Sequence, residues 1–138
     1  MDKKRILAVD DEEAFLKILK INLEKTGAYL VETMSDARDI IARVKAFKPD
    51  VILLDILMPQ IDGIEVCVQL KDDAGTKPIP IITLSALDTE NDRRKMYKQG
   101  VIDFLVKPIE KDELISRIEK ALITKEVRGG EEKNTDHR

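Results

Sequence analysis

Two carboxylates, Asp10 and Asp11, follow the apolar run Ile6-Leu7-Ala8-Val9, and a third, Asp55, follows Val51-Ile52-Leu53-Leu54. Ser85 closes another run, Ile81-Ile82-Thr83-Leu84, and Lys107 comes directly after Val101 to Val106. If these runs are parallel strands, the acids, the hydroxyl and the ammonium meet at one rim. Carboxylates held that close repel and raise one another's pKa unless a cation joins them. Mg²⁺ suits such a group, because it takes oxygen ligands and keeps waters that a phosphate oxygen can replace. An ionised Asp55 is then a nucleophile toward phosphorus, and the product is a mixed anhydride. Phosphoryl transfer spreads charge over the equatorial oxygens, so a metal, the Lys107 ammonium and the Ser85 hydroxyl each have one to stabilise.

The elements that must position these groups are legible from periodicity. Four apolar residues in a row lack the alternation of a half-wet strand, and indicate parallel strands covered on both faces. Ligands of open α/β sheets bind at the carboxyl ends of such strands. Between the runs lie helical patterns. Phe15, Leu19 and Leu23, flanked by Ala14, Ile18 and Ile21, give the first helix an apolar face, and Gly27 can stop it. Tyr29 to Thr33 reads as a shorter strand. Ser35 can cap a second helix carrying Ile40, Ile41, Val44 and Phe47, which Lys48-Pro49 ends. The stretch Met58-Pro59-Gln60-Ile61-Asp62-Gly63 carries turn formers and opens a third helix with Ile64, Val66, Cys67 and Leu70, Gly63 allowing a close backbone approach. Asp88 or Thr89 can cap a short polar helix that Gly100 ends. The last helix holds Leu114, Ile115, Ile118 and Leu122 on one side.

This βα alternation places the chain in the α/β class as one domain over residues 1–125. Residues 126–138 lack the apolar content to offset ordering, and are expected as a disordered polar tail or the start of a linker. His137 falls in that segment and is read as solvated, not as a phosphodonor.

Composition narrows the function classes. The 138 residues include 24 basic and 27 acidic side chains, a formal net charge of -3, which offers no general attraction for nucleic acid or an anionic membrane. Cys67 is the only cysteine, so an internal disulfide and a multi-cysteine zinc site are excluded, and it reads as a small core residue. No apolar stretch is long enough to span a bilayer, and the start lacks a signal-peptide pattern, so a cytoplasmic location is expected.

In this order and at this spacing, the residues resemble the CheY-like receiver domains of two-component response regulators, over about residues 4 to 123. The likeness rests on Asp10-Asp11, on Asp55 followed by Met58-Pro59 and Asp62-Gly63, on Ser85-Ala86, and on Phe104 with Lys107-Pro108. Taken singly, each has an ordinary explanation as a helix cap, a turn former, a surface lysine or a core aromatic. Five such coincidences at one rim are improbable.

The resemblance implies a flavodoxin-like parallel sheet of order 2-1-3-4-5 flanked by five helices, with a cis bond before Pro108. It makes Asp55 the phosphoacceptor for a sensor histidine kinase or phosphotransfer protein. Asp11, Asp55 and the Leu57 carbonyl become direct Mg²⁺ ligands, Asp10 acts through a bound water, and Lys107 pairs with the phosphate. Ser85 takes the hydroxyl role, and Phe104 stands where the switch aromatic is often Tyr, without a phenolic hydroxyl. The face of the fourth helix, fifth strand and fifth helix would then choose an effector protein or a fused output domain. A monomer or weak dimer that tightens on phosphorylation is expected. Leu57 and Leu87 match two positions that tune hydrolysis, and neither can orient a water. Such a domain catalyses its own phosphorylation and dephosphorylation but is not a turnover enzyme. Two rivals are disfavoured. An aspartyl-nucleophile phosphatase would carry a second acid, which Asp55-Ile56-Leu57 lacks, and a phosphorylation-independent binding module has no need of five competent site residues.

Overall fold

The computed structural model describes residues 2–59, 61–86 and 90–135, with side chains through residue 123. The chain runs β1 (Lys4–Val9), α1 (Glu13–Glu24), β2 (Tyr29–Met34), α2 (Ile40–Phe47), β3 (Val51–Asp55), β4 (Leu57–Met58), β5 (Ile61–Asp62), α3 (Gly63–Asp72), β6 (Ile81–Ser85), α4 (Glu90–Lys98), β7 (Asp103–Val106) and α5 (Lys111–Thr135). The main sheet has the order β2-β1-β3-β6-β7 with every pairing parallel. This is the expected 2-1-3-4-5, since the short antiparallel pair β4-β5 takes two numbers.

Residues of the central strands alternate between two cores, which is why those strands read as unbroken apolar runs. Leu7, Val9, Ile52, Leu54 and Ile81 face Ile40 and Val44 of α2, Val66, Cys67 and Leu70 of α3 and Met96 of α4. Ile6, Ala8, Val51, Leu53, Ile82 and Leu84 face Leu16, Leu19 and Leu23 of α1 and Leu114, Ile118 and Ala121 of α5. Each such aliphatic side chain contributes roughly 1.5–3 kcal/mol on burial. Cys67 is buried as expected, and burial pushes its thiol up to about 12, so it stays neutral.

The local expectations hold in part. Phe47 ends α2 because Lys48 precedes a proline and turns into the left-handed region at φ 55. Gly27 and Gly100 both have positive φ. Ser35 is not the cap of α2, which begins five residues later at Ile40 after Asp39 and has no side-chain cap bond. In α1 the buried stripe is Leu16, Leu19 and Leu23, while Ile18 and Ile21 are 61% and 59% exposed. Leu16 takes the first place of the stripe, and Phe15, half-buried, packs at its edge against the same core. The last strand starts at Asp103, two residues later than its apolar run suggests. The turn-rich stretch after Asp55 contains the β4-β5 ladder, pairing Leu57 with Asp62 and Met58 with Ile61. The caps expected at Asp88 or Thr89 lie outside the described residues. α5 is helical to Thr135 and therefore continues into the segment expected as a tail.

Gly63 meets its expectation strictly. A Cβ there would overlap the backbone of Ile56, the residue after Asp55. Gly63→Ala should therefore cost about 3 kcal/mol, at the upper end of ordinary overpacking, because backbone cannot rotate aside as a side chain does. Urea unfolding would show this as a lower midpoint at unchanged slope. A loss of less than about 1 kcal/mol would mean that the α3 entry yields easily.

Candidate functional site

From β1 the chain crosses to one side for β2, then to the other side for β3, so the sheet reverses direction between β1 and β3. A crevice forms at the carboxyl ends of strands flanking such a reversal. Asp10 and Asp11 follow β1 immediately, and Asp55 is the last residue of β3. Carboxylate oxygens of these three residues lie within 4.8 Å of one another. Asp10 and Asp55 are buried, whereas Asp11 is exposed.

The two buried acids are anchored by backbone. Asp10 Oδ1 accepts from the Glu12 N–H at 2.9 Å, and Asp55 Oδ1 accepts from the Leu57 N–H at 3.0 Å. The N-cap of α1 is Glu12, without a side-chain cap bond, so capping does not explain the acidic triplet. Burial pushes the Asp55 carboxyl up to about 6, with Asp10 and Asp11 adding to the rise and the Leu57 N–H and the Lys107 ammonium opposing it. Desolvation prevails because the nearest cation is 3.8 Å away and no hydrogen bond joins the two.

Lys107 enters from the end of β7 and is 13% exposed. Its Nζ lies 2.6 Å from Asp10 Oδ2, 3.2 Å from Glu12 Oε1 and 3.8 Å from Asp55 Oδ2. Burial works against its charge, but the hydrogen bonds it donates to Asp10 and Glu12 and the charges of Asp55 and Asp10 outweigh it and raise its pKa. The bond from Lys107 to Pro108 is cis. Ser85 ends β6, fully buried, on the strand beside Asp55, whose register partner is Leu84.

Phe104 is 4% exposed within the α2-α3-α4 core, and the Arg93 guanidinium of α4 lies 5.4 Å from its ring centroid. Leu57 is 45% exposed beside Asp55. Leu87 lies outside the described residues. A cleft of about 430 Å³ opens beside Asp11, between Glu13, Ser35, Arg38, Met58 and Ile61.

The expected acids, the serine and the lysine thus stand at the ends of neighbouring strands, and two contacts join them that the sequence reading did not assign. One is the Glu12 carboxylate on Lys107. The other is the ring of Phe15, whose centroid lies 4.4 Å from the same ammonium. The available signal was position alone, since both residues fall where the chain leaves the acidic pair and enters α1.

The family model described as the response regulator receiver domain matches residues 6–119. The chain belongs to that family. This receiver domain is 39% identical over 124 residues to the alkaline phosphatase synthesis transcriptional regulatory protein PhoP of Bacillus subtilis (strain 168), a match covering 90% of this chain and 50% of that protein. It is 42% identical over 114 residues to the response regulator PleD of Caulobacter vibrioides, covering 83% of this chain and 25% of that protein. The chain therefore spans half the length or less of these curated relatives. Among solved structures, the Vibrio cholerae chemotaxis protein CheY4 superposes with a TM-score of 0.82 at 27% identity, over 88% of this chain and 100% of that one. The fold is that of the CheY-like receivers, as expected. No helix among the described residues is long and apolar enough to cross a membrane.

Proposed function

We propose that this receiver domain accepts a phosphoryl group on Asp55 from a histidine kinase or phosphotransfer protein in a Mg²⁺-dependent reaction, and switches partner binding in response. The observation that carries this reading is the buried Asp55 carboxylate, set among Asp10, Asp11 and Lys107 at the reversal point of the sheet. The donor set is all oxygen and already strained by like charge, which fits a hard divalent cation and gives no soft ligand for another metal. Asp11, Asp55 and the Leu57 carbonyl would hold Mg²⁺, with Asp10 acting through water, and the ion would supply charge neutralisation for the transferred group.

The chain's own groups account for the rest. With Oδ1 held by the Leu57 N–H, the Asp55 carboxylate forms a bond to phosphorus as the donor's bond to phosphorus breaks. Lys107 is poised to take an oxygen of the arriving group, and the Ser85 hydroxyl another. Movement of Ser85 toward the phosphoryl group would loosen its place beside β7 and shift the balance of Phe104, whose ring is already inward. Catalysis of its own modification is then stoichiometric, without turnover of an external substrate. Mass analysis after exposure to acetyl phosphate with Mg²⁺ tests the reading.

The α4-β7-α5 face is charged, with Arg94 paired to Glu90 at 3.0 Å and Arg117 to Asp103 at 2.7 Å, and Tyr97 is 48% exposed on it. Exposed pairs contribute only about 0–1 kcal/mol each, so any dimer on this face should be weak and should tighten on phosphorylation. Sedimentation is expected to show a higher mass with beryllofluoride than without; equal masses would leave partner binding as the output.

The lifetime of the phosphoryl group depends on a water placed in line behind phosphorus. Leu57 cannot orient that water, and Leu87 is proposed to act likewise. A Leu57→Asn, Leu87→Glu variant should lose its phosphoryl group about ten-fold faster than wild type after donor removal. Equal decay would remove the apolar-lid idea and leave the acceptor assignment standing. Residues 1–125 are proposed as the receiver unit, and 126–138 as a polar tail or the start of a linker.

A further inference from the structure

We infer that Phe15 is a positioning residue for Lys107, a role that rests on the phosphoacceptor reading above. Its ring centroid lies 4.4 Å from the Lys107 Nζ, well inside the range in which an aromatic face attracts an ammonium. Phe15 is half-buried in the groove between α1 and α5, where Ile109 and Leu114 also line the wall, and it packs against the edge of the core to which its buried neighbour Leu16 belongs. Packing alone would account for an aliphatic side chain at this place. It would not account for a ring set against the ammonium.

The chemistry gives the ring a function that the carboxylates cannot share. An ammonium has three N–H donors, and here Asp10 and Glu12 take two, with Asp55 close by at 3.8 Å. An arriving phosphoryl oxygen needs one of them. Glu12, 65% exposed and at 3.2 Å, is the partner most easily displaced, whereas Asp10 is buried and at 2.6 Å. When the partners change, the ammonium must stay over the crevice and not follow the departing carboxylate. The Phe15 face consumes no N–H, carries no net charge to compete with phosphate, and holds the cation through the exchange.

The experiment compares wild type with Phe15→Leu, Phe15→Tyr and a protein carrying trifluorophenylalanine at position 15, which keeps the shape but weakens the negative face of the ring. Two readouts are used on the intact chain: the Lys107 side-chain proton resonances, assigned with Lys107→Arg, and the rate of phosphorylation by acetyl phosphate with Mg²⁺. In wild type the Lys107 methylene protons should lie upfield of those of the other lysines through the ring current. Phe15→Leu should abolish that shift and lower the limiting rate about three- to ten-fold with little change in the acetyl phosphate KM. Phe15→Tyr should restore both. The fluorinated protein should keep the melting temperature of wild type yet fall in rate, a combination that lost packing would not give.

A Phe15→Leu rate equal to wild type, or a Lys107 signal indistinguishable from those of other lysines, would overturn this inference alone. Absence of phosphoryl uptake by the wild type would instead overturn the phosphoacceptor reading, and this inference with it.

Discussion

Asp55→Asn should leave the protein without the phosphoryl group that acetyl phosphate and Mg²⁺ are expected to add to the wild type. The amide nitrogen is no nucleophile, and its oxygen carries no full charge, so the covalent step has nothing to start from. Among the described residues, no other carboxylate combines burial at a strand end with an oxygen in reach of Lys107 except Asp10, whose Oδ2 already accepts from Lys107 at 2.6 Å. Mass analysis of the two proteins side by side should show one added group in the wild type and none in the variant. A variant that gains the group as readily as wild type would move the acceptor elsewhere. Lys107→Ala should fall between the two, since it removes a stabilising charge but keeps the nucleophile.

The second large effect is on stability, and its sign reverses with metal. Asp55 titrates at about 6 in the folded chain against an ordinary 3.8, so between those values the folded state holds more protons than the unfolded one. Stability therefore falls as pH rises from about 4 to about 6, and below that window the penalty is absent. Allowing for solvent at the open rim, the loss is about 1–2 kcal/mol in metal-free buffer. Asp55→Asn should flatten this part of the pH profile. Asp11 adds to the repulsion while exposed to solvent, so Asp11→Ala should be slightly more stable than wild type without metal.

Mg²⁺ should invert that order. At a concentration about a hundred times its dissociation constant it would stabilise wild type by about 2.7 kcal/mol, which for a domain of this size raises Tm by on the order of 10 °C. Asp11→Ala should gain only a small part of that. Thermal melts at pH 7.5 with EDTA and with Mg²⁺ decide the matter. Equal responses of the two proteins to the metal would sink the assignment of Asp11 as a ligand.

The sequence by itself determined the class of the fold and the identity of the rim residues. Val51 to Leu54 has no polar alternation, as befits a strand covered on both faces, and Asp55 therefore had to stand at the end of that strand. Gly63 was legible for a related reason: a glycine between a turn and a helix signals backbone crowding, here against Ile56. The family followed from the order and spacing of Asp10-Asp11, Asp55, Ser85 and Lys107-Pro108.

What only the tertiary structure decided concerns contact and solvent. Periodicity gives α1 two candidate stripes, ending alike in Leu19 and Leu23. The packing of the sheet chose Leu16 and left Ile18 and Ile21 in water. The partner of Lys107 is Asp10, 97 positions away, and its neighbour on α1 is Phe15; no local pattern records a separation of that kind. Nor does a sequence record the pKa of Asp55. That value is set by the water which folding removes from around the carboxylate, a sum over neighbours that exist together only once β1, β3 and β7 lie side by side.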